Sequence, residues 1–243
     1  MRISKNLYLV GSGISGTFVS DELDCNCYAV DCGSELVLVD SGLGSHPEMI
    51  ESNITNEGLD IKKLKKLLLT HGHADHMGGA SYFAEKYGLE VFAPEREAGY
   101  IRTADEKMLG LDVARNAGYY PADYKLKGCR VDRGLGHGER FPAGGALWDT
   151  VGVAGHSIGG ICYRCSLEDG VLLFTGDHLL FGGRISLQNI PGADVHEYAR
   201  TTKLLAGLGA DMLLPGHGLF CVKGGQSHAD QCIKSFEGLF VPG

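Results

Sequence analysis

The amino-acid sequence predicts a mixed α/β protein. Short hydrophobic runs bounded by glycine recur along the chain of 243 residues and are typical of strands. These strands come in groups with helical patterns between them, without a strict alternation of strand and helix. Neither a repeat period nor a low-complexity linker divides the chain. We therefore expect one domain over residues 1–243, with a partly helical insertion at about 95–145.

The order of these patterns defines the predicted elements. In the first half, strands are expected at residues 7–10, 27–30, 36–39, 64–70 and 91–93. A short helix is expected at 80–86, and a helical, polar pattern covers 95–127. In the second half, strands are expected at 148–153, 161–166, 171–175 and 212–214. Two helices complete the prediction, at 196–206 and 226–236.

Composition narrows the class of protein. The 22 Lys and Arg against 30 Asp and Glu give a net charge of −8, so no basic footprint for nucleic acid is present. No apolar run approaches the roughly 18 residues of a membrane span, and the N-terminal residues lack the apolar region of a signal peptide. The eight scattered cysteines are therefore expected as reduced thiols in the cytoplasm. The expected partner is a small-molecule substrate, with no nucleic acid and no membrane; a homo-oligomer is left open.

A glycine-rich motif near the N-terminus resembles a dinucleotide fingerprint. Residues Gly11 to Gly16 read G-x-G-x-x-G after a predicted strand. The fingerprint requires a helix directly after it, so that the helix N-terminus can hold the pyrophosphate. Residues 17–22 show no helical apolar stripe, and another strand follows. We interpret the motif as a glycine-rich turn between strands.

Three histidines and one aspartate are concentrated in the motif His71-x-His73-x-Asp75-His76, at the end of the predicted strand 64–70. Imidazole and carboxylate are ligands that zinc, iron and manganese accept at neutral pH. His71 and His73 alternate as on an extended segment, so they can point the same way. Asp75 and His76 follow after the chain has turned. Four ligands crowded around one ion would be awkward, and the motif favours two metal ions.

Further candidate ligands follow other predicted strands. Each comes shortly after a strand, where loops carry functional residues, and each has a glycine beside it that permits a sharp turn. They are His156, Asp177 and His217. Singly, each is typical of a polar loop residue; together with the histidine motif, they favour a shared metal site.

With these residues and Asp40 at the end of the strand 36–39, the sequence resembles the metallo-β-lactamase superfamily. The candidate residues follow one another along the chain in the same order as the motifs of that family. The resemblance implies a four-layer αββα sandwich with a dinuclear site at one sheet edge. It implies two divalent ions, with zinc first and iron or manganese as alternatives. The first ion would be held by His71, His73 and His156, and the second by Asp75, His76 and His217, with Asp177 bridging them. Asp40 would orient the histidines by hydrogen bonds, and a turn-capping role is its alternative.

The resemblance also implies a reaction. A hydroxide between two metal ions attacks a carbonyl or phosphoryl centre, and Asp75 acts both as ligand and as the group that guides the proton to the leaving group. The glyoxalase II and lactonase branches keep all seven ligands, as this chain does, so we expect hydrolysis of an ester, thioester or lactone. Leu180, three residues after Asp177, occupies the position at which the lactonases have a tyrosine, and this difference argues against a lactonase. A mononuclear-iron persulfide dioxygenase and β-lactamase-like hydrolysis of amides or phosphodiesters are the alternatives.

Tyrosines in the 95–145 segment are candidates for substrate contact. Four of the ten tyrosines fall within 25 residues and could form a lid whose hydroxyls meet a substrate carbonyl. Packing of an added helical subdomain is the alternative. The candidates for substrate binding are Tyr100, Tyr119, Tyr120, Tyr124 and, beside the bridging aspartate, His178.

Overall fold

Two β-sheets packed face to face form the centre of the structure, a computed structural model that describes residues 1–238. The first sheet has six strands in chain order: β1 (Leu7–Gly11), β2 (Cys27–Asp31), β3 (Leu36–Val39), β4 (Leu64–Leu68), β5 (Glu90–Pro94) and β6 (Arg133–Leu135). The second sheet has five: β11 (Met212–Pro215), β10 (Gly170–Gly176), β9 (Gly160–Leu167), β8 (Ala146–Val153) and β7 (Arg140–Ala143).

The strand directions place the C-terminal ends of several strands on one side of each sheet. In the first sheet, β3 and β4 run parallel, as do β4 with β5 and β5 with β6. In the second sheet, β10 and β11 run parallel, while β9 runs antiparallel to both β8 and β10. Strands β8, β10 and β11 therefore end on the same side of their sheet, where the connecting loops can share a site.

Helices cover the outer face of each sheet. They are α1 (Pro47–Asn56), α2 (Ala74–Met77), α3 (Ala80–Tyr87), α4 (Ala98–Thr103), α5 (Leu111–Asn116), α6 (Val195–Thr202) and α7 (Gln226–Phe236). Local sequence explains several ends. Pro47 occupies the first turn of α1, where its missing N–H costs nothing. Gly88 ends α3 in the left-handed conformation, and the Asp194 side chain accepts the first free N–H groups of α6.

The hydrophobic core has three layers because each strand faces two ways. In β3, Leu36 and Leu38 point outward to α1 and α3, whereas Val37 and Val39 point between the sheets. The layer between the sheets is dominated by buried aromatic residues such as Trp148 and Phe174 of the second sheet. A third layer lies between the second sheet and α7. This order of helices, sheet, sheet and helices confirms the expected αββα sandwich.

Some elements differ from the sequence-based prediction. Strands β6 and β7 lie inside the 95–145 segment and belong to the two sheets, so only its first part is helical. Both strands are short, and β7 contains Pro142, which is tolerated because β7 is an edge strand. Helix α1 was not predicted at all. Strand β4 ends at Leu68, before the predicted end at Thr70, because Thr70 bonds to Asp40 and to Ile161 of the other sheet.

The remaining predicted elements lie within a few residues of the observed ones. The predicted helix 196–206 is observed as α6 followed by a 3-10 turn at Lys203–Leu205. The glycine-rich motif at 11–16 ends β1 and enters a turn, and no helix follows it before α1. None of the helices within residues 1–238 combines the length and apolar character needed to cross a membrane.

Candidate metal centre

The predicted ligands converge at the edge where the strands of both sheets end. Asp40 follows β3, and the histidine motif follows β4 and runs into α2. From the second sheet, β8, β10 and β11 are followed by His156, Asp177 and His217. Of these side chains only His217 is partly exposed, at 18%, so the cluster is removed from bulk water.

Three histidine rings form the first group of donors. His71 Nε2 lies 2.9 Å from His73 Nδ1, and His156 Nε2 lies 3.0 Å from His73 Nδ1 and 3.3 Å from His71 Nε2. Burial and the neighbouring histidines lower the pKa values of His71 and His73, and burial lowers that of His156. The rings are therefore neutral near pH 7, and neutral imidazole is the form that binds a metal ion.

Asp75, His76 and His217 form the second group, and Asp177 lies beside it. His217 Nε2 lies 3.0 Å from Asp75 Oδ2, and His76 Nε2 lies 3.3 Å from Asp177 Oδ1. The other oxygen of Asp177, Oδ2, lies 3.4 Å from His217 Nε2 and 3.6 Å from His156 Nε2. Asp177 thus lies between the two groups of donors, with one histidine of the first group and two of the second around it.

This donor set fits two divalent cations. His76 Nε2 and Asp177 Oδ1 are buried and have no hydrogen-bond partner among the described residues, although such groups are nearly always satisfied. Burial opposes ionisation of Asp75, but the charges of His76 and His217 outweigh it and lower its pKa. Ionised carboxylates beside neutral imidazoles are the usual ligands of zinc and related ions. The groupings His71–His73–His156 and Asp75–His76–His217 each place three donor atoms within 4.8 Å of one another.

Asp40 lies behind this donor set and contacts it through hydrogen bonds. Its Oδ2 lies 2.9 Å from His76 Nδ1 and accepts the Thr70 hydroxyl at 2.8 Å. Its Oδ1 accepts the Thr70 amide at 2.8 Å. Asp40 adopts φ of +58°, a conformation that is strained for a residue with a side chain. These bonds direct His76 Nε2 toward Asp177 and hold the segment that leads into the histidine motif.

Glu97 holds the two loops that supply the first group of histidines, and the sequence analysis missed it. Its Oε2 accepts the Gly72 amide at 2.6 Å, between His71 and His73. Its Oε1 accepts the Gly159 amide at 2.8 Å, in the loop after His156. Burial raises the pKa of Glu97, and hydrogen bonds from Ser157 and the two amides oppose this shift. No sequence signal marks Glu97, because both partners are backbone amides distant in the chain.

Gly216 has a steric role in the site. A Cβ atom there would lie 2.5 Å from His76 Cε1 and closer still to Asp177 Oδ1. Any side chain at this position would displace one of the two unpartnered donors. The glycine beside His217 is thus required by close approach of the backbone to the ligands.

A cavity of about 550 Å³ opens onto the donors Asp75, Asp177 and His217. Its walls come mainly from the segment around α5 and from residues 180–190. The aliphatic lining residues are Ala74, Leu109, Leu111, Val113, Ala114, Ala117, Leu180 and Ile190. Polar groups are contributed by Ser15, Ser186, Gln188 and Asn189, and none of the lysines and arginines within residues 1–238 lines the cavity. Its size suits a small molecule.

Some of the residues that were candidates for substrate contact line the cavity, and others do not. Tyr119 and Tyr120 line the cavity, and the Tyr120 hydroxyl bonds to Asp75. Tyr124 lies behind Tyr120 and donates its hydroxyl to the Leu43 carbonyl.

Two of the predicted substrate contacts lie elsewhere. Tyr100 packs against the core layer on the outer face of the first sheet. His178 is buried, stacks on Tyr198 and lies 3.0 Å from the Thr202 hydroxyl, because the turn after Asp177 directs it into the fold. Together with Tyr124, these residues lie outside the lining of this cavity, so the structure does not support them as substrate contacts, and that role stays a prediction.

The fold and the site define a class of protein. A family model described as the Metallo-beta-lactamase superfamily matches residues 20–217, which include Asp40 and all seven candidate ligands. The chain belongs to this superfamily.

Particular relatives and one solved structure illustrate the similarity. The chain is 27% identical over 194 residues to "Thioesterase pkgB" of Emericella nidulans, covering 79% of this chain and 45% of that protein. It is 30% identical over 117 residues to a hydroxyacylglutathione hydrolase of Rhizobium meliloti, covering 48% of this chain and 34% of that protein. The match thus spans less than half of either relative. BJP-1, a subclass B3 metallo-beta-lactamase of Bradyrhizobium japonicum, has the same fold, with a TM-score of 0.73 at 21% identity over 98% of this chain and 91% of that chain.

Proposed function

We propose that this protein is a metal-dependent hydrolase that cleaves an ester, thioester or lactone of an uncharged, largely apolar small molecule. One observation carries the proposal: seven candidate metal ligands converge beside a cavity whose walls are largely apolar and include no lysine or arginine from residues 1–238. The two divalent ions, with zinc first among the candidates, supply Lewis-acid activation of water and of the scissile carbonyl when they are bound.

The chain's own residues would contribute binding, orientation and proton handling. Asp40 orients the His76 ring, and the Ser186 carbonyl, 2.6 Å from His156 Nδ1, orients the His156 ring. Glu97 holds the backbone of the loops that carry His71, His73 and His156. Asp75 lines the cavity and is ionised, so it is the carboxylate that would guide a proton toward the leaving group. No serine or cysteine nucleophile is needed for this chemistry.

The cavity favours acyl compounds over phosphodiesters. Recognition of a phosphate generally uses arginine or lysine, and neither lines the cavity. Neutral carbonyl compounds with an apolar acyl group match the leucine, valine and alanine side chains of the wall. The names of two relatives, a thioesterase and a hydroxyacylglutathione hydrolase, support testing thioesters first.

A substrate screen tests this proposal. Wild-type protein supplied with zinc, manganese or iron is assayed with acyl thioesters, aryl esters, lactones, a β-lactam and a phosphodiester. We expect hydrolysis of at least one acyl compound, loss of that activity by at least about 100-fold in His71→Ala, and no loss in the exposed control His46→Ala. Flat rates for every substrate with every metal would refute the proposal. Oxygen consumption with a persulfide would favour the iron oxidoreductase instead.

The cysteines support a reducing compartment such as the cytoplasm. All eight are free thiols, and seven of them are buried as small apolar side chains. Burial raises the pKa values of Cys27, Cys32 and Cys129, which keeps these thiols protonated and unreactive.

A further inference from the structure

Tyr120 connects the segment after α5 to the candidate metal centre. Its hydroxyl lies 2.8 Å from Asp75 Oδ1, and the residue is only 7% exposed. The other oxygen of Asp75, Oδ2, lies 3.0 Å from His217 Nε2. The two oxygens of this carboxylate therefore have different surroundings: one meets a hydroxyl, and the other faces the ligand set.

The Tyr120 hydroxyl donates this hydrogen bond to Asp75 Oδ1. A carboxylate oxygen is an acceptor, and the phenol supplies the proton. A hydrogen bond to an ionised carboxylate within a buried site is stronger than one between neutral groups. The contact is strong enough to select one orientation of the Asp75 side chain.

Several contacts hold Tyr120 in place. Its ring stacks on Tyr124 at a centroid distance of 6.0 Å, and the Tyr124 hydroxyl donates to the Leu43 carbonyl at 2.7 Å. Arg115 at the end of α5 donates to the Tyr124 carbonyl at 2.7 Å and pairs with Glu106 at 2.6 Å. Tyr120 is thus supported by a network that does not itself touch the metal ligands.

We propose that Tyr120 is a positioning residue that occupies Oδ1 of Asp75 and leaves Oδ2 as the oxygen available to the second cation. The inference rests on the proposed function, because it concerns the same donor set. Partners of this kind, which orient a metal ligand from behind, typically change metal affinity by 10- to 100-fold. Tyr120 also lines the cavity, so the same side chain that bonds to Asp75 would lie next to a bound substrate.

A pair of hydroxyl deletions tests this inference. Tyr120→Phe removes the hydrogen bond to Asp75, and the control Tyr82→Phe removes a hydroxyl that also bonds to a carboxylate, that of Glu51 in α1, away from the ligands. Apoprotein of each variant is titrated with zinc in competition with a chromophoric chelator, and its melting temperature is recorded. We expect Tyr120→Phe to weaken the second zinc site by about 10-fold or more with the first site unchanged, and Tyr82→Phe to match wild type at both sites.

The outcomes distinguish this inference from the proposed function. Two zinc ions in wild type with identical titrations for both variants would refute the role of Tyr120 alone. An equal loss at both sites with a lowered melting temperature would show a merely structural role and would also refute it. A wild-type chain that binds fewer than two ions would overturn the proposed function and this inference together.

Discussion

Replacing Glu97 by glutamine should destabilise the protein through one of its two loop contacts. The carboxylate accepts the amides of Gly72 and Gly159 with one oxygen each. Glutamine keeps one oxygen, and its NH2 group must face the other amide as a second donor. The change removes a charge-assisted hydrogen bond and leaves a buried N–H unpaired, which together cost about 2–4 kcal/mol. That is a large share of the roughly 5–15 kcal/mol by which domains are stable.

Urea unfolding of the metal-free protein measures this cost. The matched control is Glu95→Gln, which makes the same chemical change two residues away at an exposed position. The control should stay within about 0.5 kcal/mol of wild type, as surface substitutions usually do. Zinc titration of Glu97→Gln should also show weaker binding, since the loops carrying His71, His73 and His156 lose their shared anchor. Equal unfolding free energies for the two variants would refute the reasoning that Glu97 joins these loops.

Three further predictions concern the cavity and its surroundings. Gly216→Ala should lower zinc content and activity by at least about 10-fold, since its Cβ would displace His76 and Asp177; unchanged zinc content contradicts this. Ala114→Phe should reduce kcat/KM for hexanoyl more than for acetyl thioesters, by about 10-fold, because it fills the apolar wall; equal losses argue against that wall as the acyl site. Burial raises the pKa of Asp24 from 3.8 to about 6, so the contribution of this carboxyl to stability falls as pH rises through this range, and Asp24→Asn lacks this contribution. In urea unfolding, the free energy of unfolding of Asp24→Asn should rise relative to that of wild type by about 3 kcal/mol between pH 4 and pH 7. A difference between the two proteins that stays constant over this range would contradict the prediction.

The sequence was sufficient to predict the fold class and the residues that converge. His156, Asp177 and His217 could be selected because each follows a hydrophobic strand and a glycine, and strand ends are where loops build sites. Strands such as β3 could be recognised because four consecutive apolar residues are buried on both faces of a sheet. These patterns are local in the sequence, and the folded protein adopts the structure that they predict because tertiary packing favours the same strands and turns.

Other features depend on contacts that no local pattern encodes. Glu97 bonds to amides 25 and 62 positions away, and the hydroxyl of Tyr120 reaches Asp75 across 45 positions. His178 was predicted near the substrate because it follows Asp177, but the turn after β10 directs it toward Tyr198. The short strands β6 and β7 form by pairing with neighbours already in the sheets, so their own residues carry little strand signal.

The central claim is that the donors at the sheet edge hold two divalent ions beneath an apolar cavity. Elemental analysis of protein purified without chelators tests it most directly, with His71→Ala and the exposed control His46→Ala prepared in parallel. We predict close to two ions per chain for wild type and for His46→Ala, and a loss of one or both in His71→Ala. No bound metal in wild type, a single ion, or full retention in His71→Ala would contradict the account.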